Sequence, residues 1–120
     1  MSVVAKQGRE KHFTKPFVGG TVSHRVILPG PDDCPIKVTK FVPKEGFSPG
    51  EVRHNTDEFV YVLEGEIEIE FILECSKHVL RTGGSYYVPA GTGTKFRALE
   101  DSLVLCVFFR GDDGKLPEND

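Results

Sequence analysis

The sequence predicts an all-β fold, an antiparallel sandwich or barrel. Short runs rich in Val, Ile, Phe and Tyr recur along the chain, and Gly, Pro, Asp and Asn punctuate them. Within the runs apolar and polar residues alternate with period two, and a helical period is nowhere sustained. The chain has 120 residues, 38% of them hydrophobic, with nine Phe and three Tyr, which is enough to build one core of modest size.

The predicted strands, in order, are Thr21 to Leu28, Ile36 to Val42, Phe59 to Leu63, Glu66 to Leu73, His78 to Leu80, Ser85 to Val88, Thr94 to Ala98 and Leu103 to Phe109. Neighbours on a strand point to opposite faces, so alternation separates inside from outside. In Glu66 to Leu73 the apolar Ile67, Ile69, Phe71 and Leu73 define a dry face, and Glu66, Glu68 and Glu70 a wet one. Phe59 to Leu63 and Leu103 to Phe109 are apolar on both faces. A small barrel has no second core for the outer face, so a second subunit or a returning N-terminal segment should cover it. The polar ends are read as an N-terminal arm, residues 1–16, and an acidic tail, residues 111–120, flanking a barrel domain of residues 17–110.

Composition narrows the functional classes. The net charge is -3 with acidic and basic residues interleaved, so no Lys/Arg stripe exists to follow a phosphate backbone, and nucleic acid is not an expected partner. No apolar run approaches the roughly 20 residues of a membrane helix. The segment Met1 to Glu10 lacks the apolar stretch of a signal peptide, so the expected location is the cytosol. Cys34, Cys75 and Cys106 are odd in number and share no close spacing; they read as reduced thiols, with Cys106 in the core.

Two spaced motifs add a family. Gly46, Val52, His54, Glu58 and Gly65 keep the intervals of the first cupin motif, a Gly, five residues, His-x-His, three residues, Glu, six residues, Gly. Gly83, Pro89, Gly91, Thr94 and Ala98 keep those of the second motif, a Gly, five residues, Pro-x-Gly, two residues, His, three residues, Asn. The chain therefore resembles a small single-domain cupin, and the resemblance implies a cupin double-stranded β-helix, the jelly-roll barrel. Gly65 and Gly91 suit sharp turns, and Pro89 ends a strand by removing a ladder donor.

Metal-binding cupins take two His and one Glu from the first motif and one His from the second, a set suited to iron, manganese, nickel or zinc. Here His54 and Glu58 stand at ligand positions, while Val52 and Thr94 replace the other two. The implied divalent ion is accordingly weakly held or missing, and no organic cofactor is expected. Ectoine synthase, a cupin relative, is similar in using Glu and Tyr at positions matching Glu58 and Tyr86, so His54, Glu58 and Tyr86 form a candidate metal set.

Further pocket candidates are His24, Lys40, Val52, Thr94 and Phe96. His24 alternates with Val22, Val26 and Leu28, and an inward His is as readily satisfied by one hydrogen bond as by a ligand. Lys40 is flanked at two-residue spacing by Val38 and Val42. If that face is the inner one, its ammonium must pair with Glu58 or an anionic ligand; if Thr39 and Phe41 face in, Lys40 is solvated. Lys37 and Lys40 cannot both be inside.

Two functions fit. One is an enzyme acting non-oxidatively on a small molecule, by isomerisation, cyclisation, elimination or decarboxylation, with His54 and Glu58 as the catalytic acid and base. Dioxygenase chemistry fits less well, since oxygen activation needs a firmly held redox metal. The other is a metal-free module that binds a metabolite or serves as a structural dimer. A homodimer is expected in either case, a small-molecule ligand or substrate is the expected partner unless the barrel serves only as a structural dimer, and neither function implies a membrane.

Overall fold

A computed structural model of the chain describes residues 11–17, 20–28, 35–111 and 115–116. Among the described residues, ten strands form two antiparallel sheets: β1 (Lys11–Phe17), β2 (Gly20–Leu28), β3 (Ile36–Val42), β4 (Glu51–Val52), β5 (Glu58–Glu64), β6 (Glu66–Phe71), β7 (Ser76–Arg81), β8 (Ser85–Val88), β9 (Thr94–Ala98) and β10 (Leu103–Phe109). The larger sheet has the order β1-β2-β3-β10-β5-β8 and the smaller β4-β9-β6-β7. Consecutive strands repeatedly change sheets, as a jelly roll requires. No helix among the described residues is long and apolar enough to cross a membrane.

Four predicted strands, Ile36 to Val42, Ser85 to Val88, Thr94 to Ala98 and Leu103 to Phe109, have the observed bounds, and the others differ by two residues or fewer at each end. Two strands have no counterpart in the sequence reading. β4 is only two residues long, too short for alternation to register. β1 carries Pro16 and mixes Lys, Thr and Phe, and it falls in the segment expected as an arm. It pairs with β2, so it widens the sheet at the edge instead of folding back across a face. Leu73, expected on the dry face of its strand, is 92% exposed because β6 stops at Phe71 and a turn through Cys75 follows.

The inner faces of the two sheets meet in one core. Val60, Val62, Val104, Cys106 and Phe108 come from the larger sheet; Ile67, Ile69, Phe96 and Ala98 from the smaller; Phe47 joins from the loop before β4. Burying each large apolar side chain here is worth about 1.5–3 kcal/mol. Rings bridge the sheets: Phe41 on β3 lies 5.5 Å from Phe96 on β9, and Phe71 on β6 meets Tyr86 on β8 edge-on at 6.2 Å.

The outer faces differ. The smaller sheet carries solvated charge, with Arg81 paired to Glu66 at 2.7 Å and Arg97 to Glu68 at 3.6 Å. The larger sheet shows Phe59, Tyr61, Leu63, Leu103, Leu105, Val107 and Phe109, all half-buried, with Val42 and Tyr87 exposed beside them.

Gly65 turns β5 into β6 with a φ of +98°, and a Cβ there would lie 2.8 Å from the Asp101 carbonyl oxygen. Both the conformation and the clearance require glycine.

Candidate functional site

Along three central strands the inner face changes character from one end to the other. On β3 the inward residues run Lys37, Thr39, Phe41; on β5, Glu58, Val60, Val62; on β9, Thr94, Phe96, Ala98. Register aligns the first two. Lys37 and Glu58 both pair with Phe108 on β10, Thr39 and Val60 both pair with Cys106, and Phe41 and Val62 both pair with Val104. The larger sheet thus carries the inner row Lys37, Phe108, Glu58, Val88 at one end and apolar rows beyond it. On the smaller sheet the row Val52, Thr94, Phe71 lies at the corresponding end, with Phe71 against Tyr86.

His54 reaches this end from the loop 53–57, which is pinned to the turn at residues 89–93. The Gly91 amide donates to the His54 carbonyl at 2.8 Å, and an Arg53 guanidinium nitrogen donates to the Gly91 carbonyl at 2.9 Å. Asp57 accepts from the Ala90 amide at 2.7 Å and from the Tyr87 hydroxyl. These bonds tie the two motif turns together, and Thr56 is packed within the loop, 2% exposed. The Tyr87 hydroxyl and then the Ala90 amide hold the Asp57 carboxyl below its ordinary 3.8.

His54 Nε2 lies 4.0 Å from Glu58 Oε1, and both side chains are largely withdrawn from solvent, at 23% and 13% exposed. The His54 ring meets Phe108 edge-on at 5.4 Å, which sets its plane. Tyr86 stands two residues along the sheet, paired with Val60. Burial first, then the negative charge of the neighbouring Glu58, raises its phenol well above the ordinary 10.0, so it is a neutral hydroxyl.

His54, Glu58 and Tyr86 are thus brought together, and Val52 and Thr94 face one another on the opposite sheet. Phe96 belongs to the apolar core, between Phe41 and Phe47. Lys40 pairs with Leu105 and lies on the outer side of β3; the lysine of the inner side is Lys37, 8% exposed. His24 is in register with Phe41 on β2, but its side chain lies outside the described residues. Lys37, Thr39 and Asp57 were not singled out as site residues by the sequence reading. The polar-to-apolar runs Lys37-x-Thr39-x-Phe41 and Thr94-x-Phe96-x-Ala98 carried the signal.

These residues do not make a firm metal site. Of the four family ligand positions, Val52 has no donor and Thr94 offers only a neutral alcohol. Among the described residues no three His, Cys, Asp or Glu side chains converge. A divalent ion held for catalysis needs about three protein ligands, and His54 with Glu58 supplies two.

Residues 38–109 match the family model of the Cupin domain. No curated protein matches the chain. Solved structures similar to it include KdgF from Halomonas sp., 24% identical with a TM-score of 0.72, covering 92% of this chain and 98% of that one. A predicted oxalate decarboxylase from Thermotoga maritima is 16% identical with a TM-score of 0.73, covering 89% and 98% respectively. An RmlC-like cupin from Shewanella frigidimarina is 15% identical with a TM-score of 0.70, covering 91% of each chain. At these identities the likeness is one of fold.

Proposed function

The chain belongs to the cupin family, and we propose that it acts non-oxidatively on a small organic molecule at the polar end of its barrel, with His54 and Glu58 as the acid/base pair. The observation that carries this is the 4.0 Å approach of His54 to Glu58 among mostly apolar walls. Such surroundings strengthen charge interactions and keep water from competing for the transferred proton.

Glu58 takes a proton from a substrate carbon, and His54 in its protonated form donates one to the substrate oxygen that gains charge. Both transfers, or their reverse, serve isomerisation, cyclisation and elimination; in decarboxylation the C–C bond breaks with loss of CO2 and a protonated member of the pair returns a proton to the carbon left behind. The neutral Tyr86 hydroxyl donates a hydrogen bond toward the same oxygen. No step runs through a metal, since the donor set supports only weak binding of iron, manganese, nickel or zinc. We place the protein in the cytosol as a homodimer joined through the apolar outer face of the larger sheet.

The test is deuterium incorporation into small carbonyl compounds in D2O, followed by NMR. Incorporation that survives chelator and falls by about 10²–10⁴-fold in both Glu58→Gln and His54→Asn supports the reading. The pairing of Val52 with Thr94 favours a second reading, a metal-free binding module. Saturable ligand binding with no proton exchange in any compound would favour that one.

A further inference from the structure

We propose that Arg53 and Asp57 are positioning residues that hold His54 at its distance from Glu58. As a statement about catalysis this rests on the acid/base reading above.

The two members of the pair are supported differently. Glu58 opens β5 and is paired on both sides, with Phe108 of β10 and Val88 of β8, so the sheet fixes its backbone. β4 ends at Val52, and residues 53–57 belong to no strand. The backbone of His54 is therefore placed by what this loop touches. Its carbonyl accepts from the Gly91 amide at 2.8 Å, a single bond about which the peptide can still pivot.

Arg53 and Asp57 supply further holds, one on each side of His54 in the chain. An Arg53 guanidinium nitrogen donates to the Gly91 carbonyl at 2.9 Å and Nε donates to Glu51 at 3.0 Å, so the group is fixed at two points. It lies so close over Gly93 that a Cβ there would be 2.8 Å from a guanidinium nitrogen. Asp57 secures the other end of the loop. Its carboxylate accepts from the Ala90 amide at 2.7 Å and from the Tyr87 hydroxyl, and its carbonyl accepts from the Phe109 amide at 3.1 Å. Surface hydrogen bonds of this kind contribute modestly to stability; what they fix is position. Position is what an acid/base pair 4.0 Å apart depends on, since a displacement of about 1 Å in a reacting group costs up to about 10²-fold in rate. Arg53 and Asp57 thus act on the pair through the backbone of His54.

NMR of the histidine rings of the full chain reads that placement directly. The His54 ring meets Phe108 edge-on at 5.4 Å, so its protons carry the ring-current shift of Phe108, and the signals missing from His54→Asn identify them. In Asp57→Ala these signals should move toward the positions of an exposed imidazole. Asp57→Asn, which keeps an acceptor for the Ala90 amide, should retain most of the shift. Arg53→Met, as the second variant, should move them in the same direction, and it decides the matter if Asp57→Ala does not fold. Proton exchange into a small carbonyl compound in D2O is the functional readout. Its saturated rate should fall by about 10- to 10²-fold in Asp57→Ala, with the half-saturating concentration changed by less than about twofold. Placed on His54→Asn, the same substitution should cost nothing further, because the clamp serves His54. Unmoved ring signals in both variants, or an equal loss of exchange with and without His54, would overturn the proposal. Unmoved signals with exchange still dependent on Glu58 and His54 would do so while leaving the acid/base reading intact. Signals that move, in a chain that exchanges no protons, would support the clamp and count against the acid/base reading.

Discussion

Val52 and Thr94 are direct register partners, facing each other across the β4–β9 pair. The two family ligand positions that lack a His are therefore neighbours on one wall, and their loss removes the smaller sheet's whole contribution to a metal site. Replacing both should rebuild it. The double variant Val52→His, Thr94→His is expected to bind close to one zinc or nickel ion per chain by calorimetric titration, at least 10²-fold tighter than the unaltered protein. Failure of the double variant to gain affinity would mean that the loop carrying His54 does not hold it in ligand geometry.

Asp57 links the two motif turns through Ala90 and Tyr87. Its folded-state pKa is lowered, so its contribution to stability is fully present above 3.8 and is lost as pH falls below that value through the folded pKa. Tyr87 is shifted upward by the same bond, so its contribution is present below 10.0 and is lost as pH rises beyond it. Denaturant midpoints measured from pH 6 to pH 3 should fall less steeply in Asp57→Asn than in the unaltered chain. Parallel slopes would assign the acid sensitivity to other carboxylates.

Gly65 combines a φ of +98° with a Cβ position 2.8 Å from the Asp101 carbonyl oxygen. Gly65→Ala should cost about 2–4 kcal/mol in chemical unfolding, from strain together with displacement of the segment at residues 101–102. A cost below about 1 kcal/mol would show that this turn relaxes without resistance.

How far the fold was legible depended on how plainly each residue's environment is written in its neighbours. Strands such as Thr94 to Ala98 and Leu103 to Phe109 were legible because a run of apolar residues between turn residues is long enough to register. β4, at two residues, cannot show a period, and the composition of β1 with Pro16 argues against a strand that pairing at the sheet edge nonetheless permits. The nearness of His54 to Glu58 was legible from motif spacing, and the bonds joining the loop 53–57 to the turn at residues 89–93 hold that loop in place. The choice between Lys37 and Lys40 was not legible. The outer face of the larger sheet is nearly as apolar as the inner, so Val38 and Val42 beside Lys40 did not reveal which side faced the core.

That same outer face sets the expectation of a homodimer. Phe59, Tyr61, Leu103, Leu105 and Val107 form its centre, and light scattering at about 50 μM, above typical dimer constants, should return a dimeric mass. Leu105→Glu should return a folded monomer. A monomeric mass for the unaltered chain would contradict this assignment of the face.

The central claim is that His54 and Glu58 work as an acid/base pair without a firmly held metal, and metal content tests it most directly. Elemental analysis of untagged protein purified without chelator, with Glu58→Ala and His54→Ala beside it, should find well below one divalent ion per chain in all three. Close to one ion per chain in the unaltered protein, lost in both variants, would contradict the account and show a metalloenzyme with a rebuilt ligand set.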